Sequence, residues 1–86
     1  MELKIGSVVL STAGRDKNKP MAVVEIAENG VYVCDGKERP LENPKRKNPK
    51  HLAVTHYVLS PEKTATNRSL KKALKEIMSQ TEREAK

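Results

Sequence analysis

The side chains of this chain that could do chemistry are mostly cations, and they fall into two groups. The first lies in "STAGRDKNKP", residues 11–20, where Arg15, Lys17 and Lys19 stand among small and turn-forming residues. The second is "PKRKNPKH", residues 44–51, which crowds Lys45, Arg46, Lys47 and Lys50 into six positions and places His51 directly behind them. A guanidinium can hold phosphate with two parallel hydrogen bonds, and an ammonium holds it as a compact point charge. Each phosphate neutralised in this way releases counterions, so such clusters can dominate affinity for a polyanion without reading a sequence. The plainer reading of either group is a solvated charge run, and a basic run also fits a nuclear-localisation signal.

Other chemistry is poorly served. Cys34 is the one cysteine, which excludes an intramolecular disulfide and argues against a thiolate metal cage. A catalytic thiol needs a base held beside it, and the residues around Cys34 supply none. His51 and His56 are five positions apart and point to opposite faces of a strand, so they form no local metal pair. His51 either closes the basic loop or hydrogen-bonds RNA, whereas His56 shares a face with Leu52 and Val54 and is expected to be partly buried. No paired acid and base, no nucleophile–base pair and no phosphate-cradling glycine loop stands out. The expectation is a non-enzymatic protein with no catalytic residues, no metal and no cofactor.

Composition points the same way. The chain has 86 residues, 17 Lys and Arg against 11 Asp and Glu, and a formal net charge of +6. Its length suggests one domain, and its charge suggests a polyanionic partner, with nucleic acid foremost. There is no Phe or Trp, so small aliphatic residues must build the core. No stretch approaches the roughly 18 apolar residues that would mark a membrane span. The first residues lack the basic head and long apolar middle of a signal peptide. A cytoplasmic protein, off the membrane and monomeric when free, is expected.

The elements that must position these cations can be read from the apolar pattern. Val8, Val9 and Leu10 form a short strand, and "MAVVEIA" forms a second, ending at "ENG". Asn29-Gly30 favours a type I′ hairpin turn into "VYVCD". Pairing across that turn sets Ile26 opposite Val33 and Cys34 opposite Glu25. It puts Val24, Ile26, Val31 and Val33 on the core face, with Met21, Val23, Glu25, Tyr32 and Cys34 on the other. "KERPL" suggests a short edge strand because of Pro40. "ENPKRKNPKH" reads as a polar excursion loop with turns at its Asn-Pro pairs. "HLAVTHYVL" is a further strand, with Leu52, Val54, His56 and Val58 on one face.

Four to five short antiparallel strands over residues 1–59 fit a small, strongly bent barrel. Residues 60–66 are a polar linker. From Asn67 the period changes, and Leu70, Leu74, Ile77, Met78 and Thr81 fall on one stripe of a helix over 67–86. Thr66 or Asn67 suits its N-cap. Lys71, Lys72 and Lys75 lie off the stripe, facing solvent or RNA if the helix packs on its own domain.

The order "GSVVLSTAGRDKNKPMAVVEI" resembles a KOW motif, through Gly6, Val8, Val9, Gly14, Asp16, Lys17, Val23, Val24 and Ile26. KOW domains occur in large-subunit ribosomal proteins and transcription elongation factors. "AGRDK" followed by "VYVCDGKERPLENPKRKNPKHL" is similar to small bacterial KOW RNA-binding proteins, and these to archaeal and eukaryotic large-subunit ribosomal proteins with an SH3-like barrel. The likeness spans about residues 4–56. It departs from the pattern at Asn18, where glycine often follows the lysine; asparagine tolerates the left-handed geometry that glycine would supply.

The resemblance implies a mainly β fold, an SH3-like KOW barrel followed by a C-terminal helix, and RNA binding with ribosome association. The expected RNA contacts are Arg15, Lys17, Lys19, Lys37, Arg39, Lys45, Arg46, Lys47, Lys50 and His51. Gly14, Asp16 and Asn18 are expected to shape the first loop. Tyr32 and Tyr57 are the only aromatics and are expected to cover the barrel. Their scarcity favours a structured RNA, ribosomal or other, over a stacked single strand. If the 11–20 and 43–50 loops share one end of the barrel, they form a single basic patch. The alternative is a protein-interaction module docking on a transcription or translation factor, with its charge serving solubility.

Overall fold

The structure is a computed structural model that describes residues 3–14 and 17–84, with the side chains of 80–84 outside the description. Five strands precede one helix: β1 (Ser7–Ser11), β2 (Pro20–Ala27), β3 (Gly30–Cys34), β4 (Lys45–Lys47) and β5 (Leu52–Val58), then α1 (Asn67–Glu84). The strands form one antiparallel sheet in the order β4-β3-β2-β1-β5. A 3-10 turn, Pro49–His51, joins the two edge strands β4 and β5. Lys47 of β4 reaches back to β1, its Nζ donating to Ser11 Oγ at 3.4 Å. The sheet therefore curls on itself. This is the mainly β, small SH3-like barrel with a C-terminal helix that the sequence suggested.

Alternation along the strands gives the sheet two apolar faces, and both are buried. Val9, Met21, Val23, Val31, Val33 and Leu52 fill the inside of the curl. Val8, Ala22 and Cys34 point the other way, where Leu70, Ala73 and Leu74 of α1 cover them together with Leu59. The helix therefore packs on its own sheet. Its stripe is Leu70, Ala73, Leu74 and the half-buried Ile77, with Met78 at the margin; the side chain of Thr81, also assigned to the stripe, lies outside the described set.

The β2–β3 register differs from the expected one. Ile26 pairs with Val31, Val23 with Val33 and Ala22 with Cys34, and the register shifts between Val23 and Glu25. The hairpin turn is Glu28-Asn29 rather than Asn29-Gly30, since Ala27 pairs with Gly30. Neither Glu28 nor Asn29 takes a positive φ, so the turn is not type I′. Val24 is the extra residue of a β-bulge, which leaves two successive side chains on the same side. Met21 and Val23 are consequently core, against expectation. Cys34 is fully buried opposite Ala22, and Ile26 sits at the rim, 46% exposed.

Two other elements depart from the reading of the sequence. "KERPL" forms no strand: Asp35 turns the chain by accepting from the backbone N–H groups of Lys37 and Arg39, both at 2.8 Å to Oδ1. The strand lies instead within the supposed excursion loop, where Lys45–Lys47 pairs with Val33, Tyr32 and Val31. In β5, the register against β1 shifts between Val54 and Val58, which breaks the expected alternation. Tyr57 still lies on the helix side, opposite Leu52 and Val54 as expected, but Val58 is 48% exposed and His56 is exposed rather than partly buried.

The segment 60–66 is a series of turns, and it leads into a capped helix. Ser69 N–H donates to Thr66 Oγ1 (3.1 Å) and Thr66 N–H donates to Ser69 Oγ (3.3 Å), a reciprocal cap that satisfies two N–H groups with two hydroxyls. Asn67 ties the helix start to the 35–44 connection, accepting from Leu41 N–H at 2.7 Å and donating to Glu42 Oε1 at 2.7 Å. Gly36, with φ 81°, lies against the same turn, and a Cβ there would meet the carbonyl oxygen of Asn67 and, at 3.2 Å, the nitrogen of Lys71. Gly36→Ala is expected to destabilise the fold by about 1–3 kcal/mol through backbone strain alone, and more through the clash. Leu70→Ala, which empties the centre of the helix contact, should remove about 2–5 kcal/mol. Urea midpoints measured by circular dichroism check both, and an unchanged midpoint for either variant would mean that α1 is not docked in this way.

Candidate functional site

Ser11 organises the base of the first basic loop. Its side chain is fully buried, donates to Ala13 O at 2.9 Å and accepts from Lys47 Nζ. Its carbonyl accepts from Asn18 N–H at 2.7 Å. Lys17 N–H donates to Gly14 O at 3.2 Å, so the loop turns back on itself between these residues. Gly14 has φ 79° with open space where a Cβ would lie, so positive φ, and not close approach, is what that position requires. Asn18 takes φ 67°, a left-handed geometry that asparagine tolerates better than most residues. Arg15 and Asp16 lie outside the described residues.

The second basic segment meets this loop directly. Thr12 N–H donates to His51 O at 2.8 Å, and Ser11 pairs with Leu52 in the sheet. Asn48 caps the 3-10 turn, its Oδ1 accepting from Lys50 N–H at 3.0 Å. Lys17, Asn18, Lys50 and His51 are all exposed around this junction, with the half-buried Lys47 beneath them. The two loops therefore share one end of the barrel.

The cluster 45–47 is split by its strand. Lys45 and Lys47 pair with Val33 and Val31, whose side chains fill the inside of the curl, and both lysines are half-buried. Arg46 pairs with Tyr32 on the outward side and is exposed. Prolines at 44 and 49 do not spread these charges in one direction, because alternation along a strand sends neighbours to opposite faces.

Lys19, Lys37 and Arg39 lie elsewhere. Lys19 Nζ forms an ion pair with Glu38 at 3.4 Å, and both side chains are about half exposed, 48% and 55%. Arg39 is half-buried and belongs to the Asp35 turn through its main chain, its carbonyl accepting from Asp35 N–H at 3.0 Å. Lys37 is exposed and faces α1, where it lines a groove of about 560 Å³ with Arg68, Lys71, Lys72 and Lys75. Sequence reasoning noted three of these helix lysines only as lying off the apolar stripe, and passed over Arg68. The signal available was their spacing, since 68, 71, 72 and 75 follow the i, i+3, i+4, i+7 pattern of a single helical face.

Among the described residues, no group of three or more His, Cys, Asp or Glu side chains is placed to hold a metal ion. No helix of the described residues is long and apolar enough to cross a membrane. Tyr57 packs against the helix-side core and lies beside His56, ring centroids 4.3 Å apart, while Tyr32 is half-buried. Compared with the models of known protein families, the chain matches none.

Cys34 Sγ lies 3.5 Å from Pro40 O, to which it donates. Burial, followed by the charges of Asp35 and Glu42, pushes its thiol up from 9.0 to about 11. A thiol that ionises later in the folded than in the unfolded chain retains its proton in the native state, so unfolding releases it and stability falls as pH rises. Urea unfolding should therefore show a loss of stability as pH climbs from 9.0 toward about 11. Cys34→Ala should be less stable at neutral pH but flatter across that window. An identical alkaline slope in the two proteins would refute this role for Cys34.

Proposed function

We propose that this protein binds structured RNA, ribosomal RNA among the candidates, through its basic loops and without catalysing a reaction. The observation that carries this reading is the junction at Ser11 and Thr12, where backbone bonds bring the 11–20 loop against the 45–51 segment. Lys17 and Lys50 stand exposed there, with His51 beside them and Lys47 half-buried beneath, and Arg15 is assigned to the same loop from the sequence. In this KOW-like reading, Gly14, Asp16 and Asn18 set the shape of the grip. Arg46 offers a contact on the outer side of β4, and the half-buried Lys45 adds its charge from the other face. Lys19, Lys37 and Arg39 lie toward α1 and are not counted in this junction.

Two features favour RNA over a protein partner. The apolar stripe of α1, the surface most suited to docking on a factor, is covered by its own sheet. The cations that remain outside are held by main-chain bonds of the loops that carry them, which suits binding to a rigid array of phosphates. A folded RNA is favoured over a single strand because Tyr57 packs against the helix-side core and Tyr32 is half-buried, which leaves few platforms for stacked bases.

Binding to an RNA hairpin, followed by fluorescence anisotropy, should weaken steeply with salt. A Lys17→Gln/Lys50→Gln variant should lower the slope of log affinity against log salt by about one for each lysine that contacts a phosphate. An unstructured oligouridine with the same number of phosphates should bind more weakly than the hairpin. Affinity indifferent to salt and to both substitutions would refute the proposal.

A further inference from the structure

We propose that the groove between α1 and the Asp35 turn is a second phosphate-binding surface, continuous with the loop junction through Lys19, so that one RNA backbone runs across both. This extends the RNA-binding reading above and rests on it for the identity of the polyanion. The groove itself stands on separate observations.

Its lining is entirely cationic: Lys37 from the turn and Arg68, Lys71, Lys72 and Lys75 from the helix. Among the described residues, none of these five is paired with a carboxylate; the ion pair found is Lys19–Glu38. Five like charges around one depression repel one another, and a polyanion is the ligand that relieves this. Their placement on the helix is also unfavourable for the helix alone. The first turn of α1 contains Arg68 and no acidic residue, although the macrodipole there favours negative charge. A local preference broken without compensation inside the chain is expected where a ligand supplies the compensation.

The groove is fixed in shape. Gly36 lies against the backbone at Asn67 and Lys71, and Asn67 holds Leu41 and Glu42, so the turn that carries Lys37 cannot drift from the helix. A smaller depression of about 180 Å³ adjoins it, where Lys19 and Lys37 face Lys71 and Lys75 and the one acid in the lining, Asp35, accepts from the N–H groups of Lys37 and Arg39. Lys19 ends the loop whose other residues stand at the Ser11 junction, since Ser11 N–H donates to its carbonyl at 3.5 Å. The cations thus form a band from Lys50, across Lys17 and Lys19, to the helix. Glu38 sits at the middle of that band and neutralises Lys19, which makes it a built-in attenuator of binding.

The test uses the full chain, the same RNA hairpin in a long and a short stem, and polyglutamate as a non-nucleic polyanion probe. Lys71→Gln/Lys75→Gln should lower the salt slope on the long stem by about two and leave binding to the short stem nearly unchanged. Both lysines are exposed and glutamine has a similar helix propensity, so the fold should persist; a single Lys72→Gln variant, lowering the slope by about one, gives an independent reading. Glu38→Gln frees Lys19 and should raise the slope by about one while tightening binding. Wild-type slopes in both helix variants would overturn the inference, and if Lys17→Gln/Lys50→Gln still lost affinity, the loop site would stand alone. Loss in the helix variants with an indifferent loop variant would support the groove and remove the loop site instead. Polyglutamate captured by the groove as tightly as the long stem would overturn its assignment to RNA.

Discussion

A sheet with apolar side chains on both faces cannot remain a single layer, and this constraint shapes the rest of the molecule. The curl of β1–β5 buries one face on itself, around Val9, Met21, Val23, Val31 and Val33. The other face, at Val8, Ala22 and Cys34, has to be covered by something else, and α1 is the remaining element with an apolar stripe. Leu70, fully buried, sits at the centre of that contact. Because the stripe faces the sheet, the residues between its members must face outward, and in this helix three of the four between Leu70 and Ile77 are lysines, the fourth being Glu76. The cationic groove is thus a geometric consequence of where the core had to be completed. A core without Phe or Trp has little burial to spare, so the helix contact is a structural necessity as much as a way of displaying charge.

At the other end of the barrel the same economy rests on Ser11. It is a fully buried hydroxyl with both a donor and an acceptor bond made. A buried hydroxyl without partners would cost about 1–3 kcal/mol, so the loop tip at Ala13 and the edge strand at Lys47 are both held where they satisfy it. Thr12 and His51 add a main-chain bond a residue further on. The cations around this junction are therefore carried by backbone held through its own hydrogen bonds at Ser11, Thr12, Lys17 and Asn18, which lowers the entropy lost when they meet a ligand.

The strands β1, β2, β3 and β5 and the helix were legible in the sequence because each follows a clean period bounded by turn residues or a cap. Asn18 was legible only in part: asparagine tolerates left-handed backbone, but its type alone did not require the φ of 67° that it adopts. The β2–β3 register was not. Alternation alone fits an unbroken ladder from Asn29-Gly30 as well as it fits a bulge at Val24, and a shift of register exchanges the faces. The strand β4 was hidden by its composition: Lys45, Arg46 and Lys47 read as solvent-exposed loop, although charged side chains are how a short edge strand avoids pairing with another sheet. For the same reason the basic cluster was visible as a cluster, but its division between two faces was not. Lys37 and Lys71 are far apart in the chain, and only the close approach of Gly36 to Asn67 brings them to one groove.

The distribution of charge is best understood as a balance between what the fold tolerates and what it leaves unpaired. Where an acid is needed for structure, it is used internally: Asp35 holds its turn through Lys37 and Arg39 N–H, and Glu42 accepts from Asn67. Where a cation is needed for structure, as at Lys47, it too has an internal partner. The cations of the groove have neither role, and at the start of α1 they oppose the helix macrodipole. Exposure to water and salt screens that penalty to a small one, so the fold survives with it. Screening is also what a polyanion displaces when it binds, and the repulsion stored among Lys37, Arg68, Lys71, Lys72 and Lys75 then becomes attraction to a single ligand. The residues that contribute least to folding are in this way the ones with the most to gain from a partner.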